Sequence, residues 1–180
     1  MRICLYGPPG CGKSVMASSL FAAMKKKGYL VELVTEYIKK WAYMKRLPKG
    51  YESLYVFSKQ LHAEDVFLRH GVNYIVTDSP ILLNCAYSAI YEHPIAPHLL
   101  EIANKWELEY PSLNIWLDKE EWVYQPNGRY ESAEQAVERE KQLRDWIVNK
   151  SGIILKVFKS TDMESILSFI EGRLKSGENS

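Results

Sequence analysis

The chain opens Met1-Arg2-Ile3-Cys4-Leu5-Tyr6, and then reads Gly7-Pro8-Pro9-Gly10-Cys11-Gly12-Lys13-Ser14-Val15. Residues 7–14 satisfy G-x-x-x-x-G-K-[ST] at every fixed position. Each position has a chemical reason. Glycines let the backbone bend so that successive N–H groups converge on phosphate oxygens. A helix starting near Lys13 directs its positive end at the same phosphates. The Lys13 ammonium neutralises β- and γ-phosphates, and the Ser14 hydroxyl is a magnesium ligand. Gly7, Pro8, Pro9, Gly10, Cys11, Gly12, Lys13, Ser14 and Val15 are therefore the expected nucleotide-binding residues, with ATP or GTP and Mg²⁺ as cofactors.

The flanking segments supply the context this motif needs. Residues 2–6 form a short apolar run stopped by a Gly-Pro-Pro-Gly turn, which predicts a buried strand. Residues 13–27 follow with Val15, Met16, Ser19, Leu20 and Ala23 at helical spacing. Gly28 ends that helix, after lysines that suit a C-terminus. Further out, strands are expected at 29–35, 73–78, 112–117 and 152–158. Helices are expected at 37–46, 52–70, 81–90, 97–110, 132–149 and 162–175, with a polar loop at 119–130. Short strands alternating with helices predict a parallel sheet covered on both faces, with right-handed crossovers. No internal repeat or linker interrupts the pattern. Residues 1–175 read as a single domain, and residues 176–180 as a tail expected to fray.

Composition narrows the class. The 180 residues are 47% apolar and 25% charged, as in ordinary globular domains. No apolar run approaches the roughly 20 residues of a membrane span, and the first strand is too short for a signal peptide. A cytoplasmic location is the default expectation. Cys4, Cys11 and Cys85 show no paired spacing, which argues against disulfides and zinc. Cys4 and Cys85 read as buried hydrophobes. Cys11 lies among amides that favour anions, which can lower a thiol pKa; the preferred reading is that it simply fills a loop position. The net charge is +1, yet the first fifty residues hold ten basic side chains against Glu32 and Glu36. Such a block marks either an anionic partner or a solvated helix face.

Two carboxylates stand at predicted strand ends. Asp78 closes Tyr74-Ile75-Val76-Thr77 and is placed to bind magnesium beside Ser14, directly or through its water shell. The bland alternative is an Asp-Ser-Pro turn. Glu36 follows the second strand, at the same sheet edge where open α/β sheets bind ligands. It is placed to accept a proton from an attacking hydroxyl, to bind a sugar hydroxyl, or to cap the next helix. Beyond it lies an aromatic-rich stretch with Tyr37, Trp41, Tyr43, Tyr51, Tyr55, Phe57 and Gln60. Aromatic faces stack on bases and an amide reads a base edge; each ring taken singly is as readily a packing residue.

The loop, Thr35-Glu36-Tyr37 and Thr77-Asp78-Ser79-Pro80 together resemble the small P-loop kinases, including deoxynucleoside kinases and the ribosylnicotinamide kinase domain of NadR. The run Asn127-Gly128-Arg129-Tyr130-Glu131-Ser132-Ala133-Glu134-Gln135-Ala136 is similar to a late segment of small ATPase/kinase-like proteins of bacteriophages. The resemblance spans roughly residues 2–158. It implies a P-loop NTPase three-layer sandwich with sheet order 2-3-1-4-5. It also implies a mobile helical lid over about 118–146 that brings arginines to the phosphates. Arg129 matches that role best; Arg139 and Arg144 are weaker matches and read more readily as helix-surface ion pairs. The chain departs from the deoxynucleoside kinases in having Asp78-Ser79-Pro80 where they carry Glu-Arg-Ser, so their substrate placement does not transfer.

The leading expectation is an ATP-dependent phosphotransferase acting on a nucleoside, nucleotide or related metabolite. Lys13, Glu36, Asp78 and Arg129 are its catalytic candidates, Ser14 and Asp78 its metal ligands. Glu36, Tyr37, Trp41, Tyr55 and Gln60 are its candidate acceptor contacts. Lys39, Lys40, Lys45 and Arg46 nearby fit an anionic acceptor. Two alternatives stand beside it: a kinase acting on a modified base or end in DNA, and an ATP-binding or ATP-hydrolysing regulatory protein without a small acceptor. No membrane partner is expected, and the sequence leaves monomer and homodimer both open.

Overall fold

Every residue of the first strand, β1 (Arg2–Tyr6), is buried, and the rest of the fold is arranged around it. The computed structural model describes residues 1–118 and 133–175. Along the chain β1 is followed by α1 (Lys13–Lys26), β2 (Val31–Val34), α2 (Lys39–Tyr43), α3 (Glu52–Arg69) and β3 (Tyr74–Thr77). Then come α4 (Ile81–Ile90), α5 (Ala96–Glu109), β4 (Ser112–Asp118), α6 (Ala133–Trp146), β5 (Leu155–Lys159) and α7 (Met163–Lys175). The strands form one parallel sheet in the order β2-β3-β1-β4-β5, the order that the kinase resemblance implies. In register, Cys4 faces Thr77 of β3 and Asn114 of β4, and Val34 of β2 faces Thr77.

Strand side chains alternate between faces, and β1 feeds two cores. Ile3 and Leu5 join Val76, Ile115 and Leu117 under α1 and α7, where Leu20, Met24, Ile166 and Ile170 are fully buried. Cys4 and Tyr6 join Ile75 and Trp116 on the other face, under Phe57 of α3, Leu82 and Cys85 of α4, Leu99 of α5 and Leu143 of α6. The layers are thus helix, sheet, helix. Among the described residues, no helix is long and apolar enough to cross a membrane.

Arg2 is the exception in this core. Its side chain is fully buried, with Nε 3.0 Å from Glu64 and Nη1 2.8 Å from Glu107 and 3.0 Å from the Tyr110 carbonyl. Trp106 Nε1 donates to the same Glu64 carboxylate at 3.2 Å. Burial alone would lower the Arg2 pKa; Cys4, Glu64 and Glu107 overcome it, and the guanidinium stays charged. Burial pushes the Glu64 carboxyl up, with Arg2 and Trp106 pulling the other way. The ion pair ties α3 and α5 to the first residue of the central strand.

Several boundaries differ from the sequence expectation. The helix expected over 37–46 is the five-residue α2, ended by a turn with Lys45 at φ 51°. β2 stops at Val34, so Glu36 lies two residues into the connection instead of at the strand end. The helix expected over 132–149 is α6 followed by a π-helical turn, Ile147–Ser151, which Gly152 ends with φ 71°. β5 begins at Leu155 and not at residue 152.

Candidate nucleotide and acceptor site

The loop between β1 and α1 owes its path to three glycines with positive φ: Gly7 at 150°, Gly10 at 84° and Gly12 at 92°. Gly7 has a second constraint. A Cβ there would lie 2.7 Å from Cys11 Sγ and 2.8 Å from the Leu117 carbonyl oxygen. Cys11 itself is fully buried and packs in the α1 core, as a space-filling residue does. Gly12 caps α1, whose first turn carries no acidic residue, so its free N–H groups and positive end face the loop uncompensated. Lys13 Nζ donates to the Gly7 carbonyl at 2.8 Å and the Pro8 carbonyl at 2.9 Å, which holds the ammonium over the loop.

This loop forms one end of a cavity of about 310 Å³. Gly10, Gly12, Lys13 and Ser14 line that end, and Glu36, Lys39, Asp78 and Ser79 line its flank. The parallel sheet brings these groups together, because β1, β2 and β3 all end at the same edge. Asp78 is only 5% exposed, and its Oδ1 is buried without a hydrogen-bond partner among the described residues. A buried unpartnered carboxylate oxygen is costly. Asp78 and Ser14 line the same cavity, and the carboxylate with the hydroxyl fits a magnesium ion. Among the described residues no group of three or more His, Cys, Asp or Glu could hold a metal. Two protein oxygens, completed by phosphate and water, suit magnesium rather than zinc or a caged ion. When bound, the ion would neutralise charge on the β- and γ-phosphates.

The far wall comes mainly from α4 and the turn after it. Asn84, Tyr87, Ser88 and Tyr91 recur at helical spacing and line the cavity with His93, while Leu82, Cys85 and Ala86 point into the core. Tyr87 stacks on Tyr91 at 6.3 Å and Tyr91 on His93 at 6.1 Å, and His93 Nδ1 is buried without a partner among the described residues. Ile38, Ala42, Tyr43, Leu47, Pro48, Ser53 and Val56 close the remaining side. These residues were not singled out in the sequence. The available signal was a pair of polar side chains, Asn84 and Ser88, one turn apart in an otherwise apolar helix.

Of the expected acceptor contacts, Glu36 lines the cavity, and Tyr37, Trp41, Tyr55 and Gln60 do not. Trp41 stacks on Tyr55 at 6.3 Å, and the Tyr37 hydroxyl bonds that of Tyr55 at 3.0 Å, which raises the Tyr37 pKa. Gln60, 1% exposed, accepts the Tyr37 backbone N–H at 3.0 Å. These four form a packed cluster behind the connection that carries Glu36. Arg129 lies outside the described residues. Arg139 lies 4.8 Å over the ring of Tyr91, next to the cavity, and Arg144 is 3.5 Å from Asp118.

A phosphate loop between the central strand and α1, in a parallel sheet of this order, defines a P-loop nucleoside-triphosphatase fold. Over residues 2–165 the sequence matches the AAA domain family, and the chain belongs to it. No curated protein matches it in sequence. Among solved structures, it is similar to the crystal structure of APE1195, with a TM-score of 0.51 at 18% identity over 98% of this chain and 95% of that one. Deoxyadenosine kinase from M. mycoides with bound dATP gives a TM-score of 0.49 at 17% identity, over 97% of this chain and 100% of the other.

Proposed function

We propose that the protein is a P-loop kinase that transfers the γ-phosphoryl group of ATP to a hydroxyl of a nucleoside or related planar metabolite. The observation that carries this reading is the cavity itself. A hydrolase needs room for water only, whereas here the space beside the phosphate loop runs on to a wall of stacked rings and an amide. Pockets of a few hundred Å³ hold small organic ligands. Tyr87 and Tyr91 give the lining an aromatic surface, and Asn84 and His93 offer hydrogen bonds to the edge of a flat ring. Glu36, which lines the same cavity, would take the hydroxyl proton as the oxygen attacks. Lys13 and the α1 N-terminus would stabilise the charge on the transferring group. Arg129 is proposed to add a further cation.

The test is ATP turnover with magnesium across nucleosides, nucleotides, nicotinamide riboside and DNA, with mass analysis of products. A phosphorylated small acceptor is expected. Hydrolysis that no acceptor stimulates would favour an ATPase or regulatory protein instead.

A second reading, an acceptor carried in a DNA strand, has one observation in its favour. Tyr43, Leu47 and Pro48 of the cavity wall belong to a segment that also exposes Lys40, Lys45, Lys49 and Tyr51. Exposed rings among lysines suit stacked bases and a phosphate backbone. Phosphorylated DNA, with binding that weakens steeply as salt rises, would select this reading over the first.

A further inference from the structure

Lys39 stands in the first turn of α2, three residues after Glu36, and lines the cavity. Its Nζ reaches to 3.5 Å from Ser14 Oγ, the hydroxyl that the phosphate loop offers to magnesium. The Lys13 ammonium is held by the Gly7 and Pro8 carbonyls. The loop therefore has two ammonium groups, one from α1 and one from α2, the helix that follows the candidate base. Lys39 is exposed at the cavity, with its ammonium directed to the loop hydroxyl.

We propose, on the kinase reading above, that Lys39 is a further catalytic residue, the cation that contacts the transferring phosphoryl group from the acceptor side. A magnesium ion and an ammonium cannot share one hydroxyl, because like charges repel strongly at such range. With a metal held at Ser14, the Lys39 ammonium would turn from the hydroxyl to anionic oxygens of the bound triphosphate, and on this proposal to those of the γ-phosphoryl group. In the transfer, the bond from the γ-phosphorus to the β,γ-bridging oxygen breaks and its electrons stay on the nucleoside diphosphate. The acceptor oxygen bonds to phosphorus and its proton passes to Glu36. Negative charge is spread over the three equatorial oxygens of the transferring group as this happens. A cation placed there acts most strongly in the transition state and little on substrate binding.

The experiment compares wild type, Lys39→Ala and Lys39→Arg. With the acceptor found for the wild type, Lys39→Ala should lower kcat by about 10²-fold, the scale of losing one transition-state charge contact, and Lys39→Arg should recover part of it. KM for acceptor and for ATP should stay within about threefold. An activity-independent measurement accompanies it: fluorescence titration with ADP alone and with ADP plus aluminium fluoride and magnesium, a mimic of the transferring group. Lys39→Ala should bind ADP as wild type does and lose the tightening that aluminium fluoride gives. Unchanged kcat with unchanged tightening overturns the proposal, as does a loss confined to acceptor KM, which would make Lys39 an acceptor contact. Wild type that binds no ADP, or turns over no acceptor, overturns the kinase reading and this proposal with it; a failure of Lys39 alone leaves wild-type transfer intact.

Discussion

Cys11 and Leu117 leave no room for a side chain at position 7, and one of the obstructing atoms is a backbone oxygen in β4. Gly7→Ala should therefore distort the loop instead of being absorbed by a side-chain shift. We expect ATP affinity to fall at least tenfold by titration, with far-UV circular dichroism unchanged. Lys13→Ala removes charge without adding bulk, so phosphoryl transfer should disappear while the melting temperature barely moves. Glu36→Gln keeps shape and removes the proton acceptor; kcat should fall by about 10²-fold or more, and a change in acceptor KM alone would make Glu36 a binder. The loop was legible in the sequence because its backbone requirements select residue types: glycine for bends, lysine for charge, serine for the hydroxyl. Asp78 and Glu36 were legible from their position after apolar strands. Asn84 shows only as a polar residue one turn from Ser88 in an apolar helix, and His93, in the turn beyond, has no local pattern to mark it.

Elements divide between those fixed by local pattern and those fixed by tertiary contact. α1, α3 and α4 begin and end close to the expected residues, since glycine, proline and apolar spacing punctuate them. α2 is shorter because Lys45 turns the chain left-handed two residues after its end, and residue types alone do not announce a left-handed lysine. In the aromatic stretch Tyr37, Trp41 and Tyr55 pack on one another, while Tyr43 lines the cavity. Trp41, Tyr55, Tyr37 and Gln60 brace the connection that holds Glu36 and leads into α2, while α4 and the turn after it supply Tyr87, Tyr91 and His93 to the cavity. The two groups separate experimentally. Asn84→Ala should raise acceptor KM by about tenfold, the worth of one hydrogen bond of roughly 1.4 kcal/mol, with KM for ATP unchanged. Gln60→Ala should instead lower the melting temperature, because it removes a buried side chain and the part-buried hydrogen bond to the Tyr37 N–H, worth about 1 kcal/mol.

At the scale of the molecule, the buried Arg2 pair and the phosphate loop occupy opposite ends of the same strand. Arg2→Met leaves Glu64 without its cation, at about 3–5 kcal/mol, against a total stability of about 5–15 kcal/mol for a domain. The loss also acquires a pH dependence. Burial already holds the Glu64 carboxyl above its ordinary value, and removing the guanidinium raises it further. The folded variant then keeps a proton that the unfolded chain releases, so its stability falls as pH rises from the ordinary glutamate value through the raised one. Nucleotide acts at the other end of β1, about 16 Å away for five residues of strand. At a hundred times its Kd it should add about 2.7 kcal/mol, or roughly 5–10 °C in a domain of this size. Sites this far apart with no shared partners contribute additively. ATP with magnesium should therefore raise the melting temperature of wild type and of Arg2→Met by comparable free energies, and should leave Lys13→Ala nearly unmoved. Thermal melts of the three proteins with and without nucleotide check this. A much smaller gain in Arg2→Met would mean that the ion pair, through β1, helps to set the loop's binding conformation.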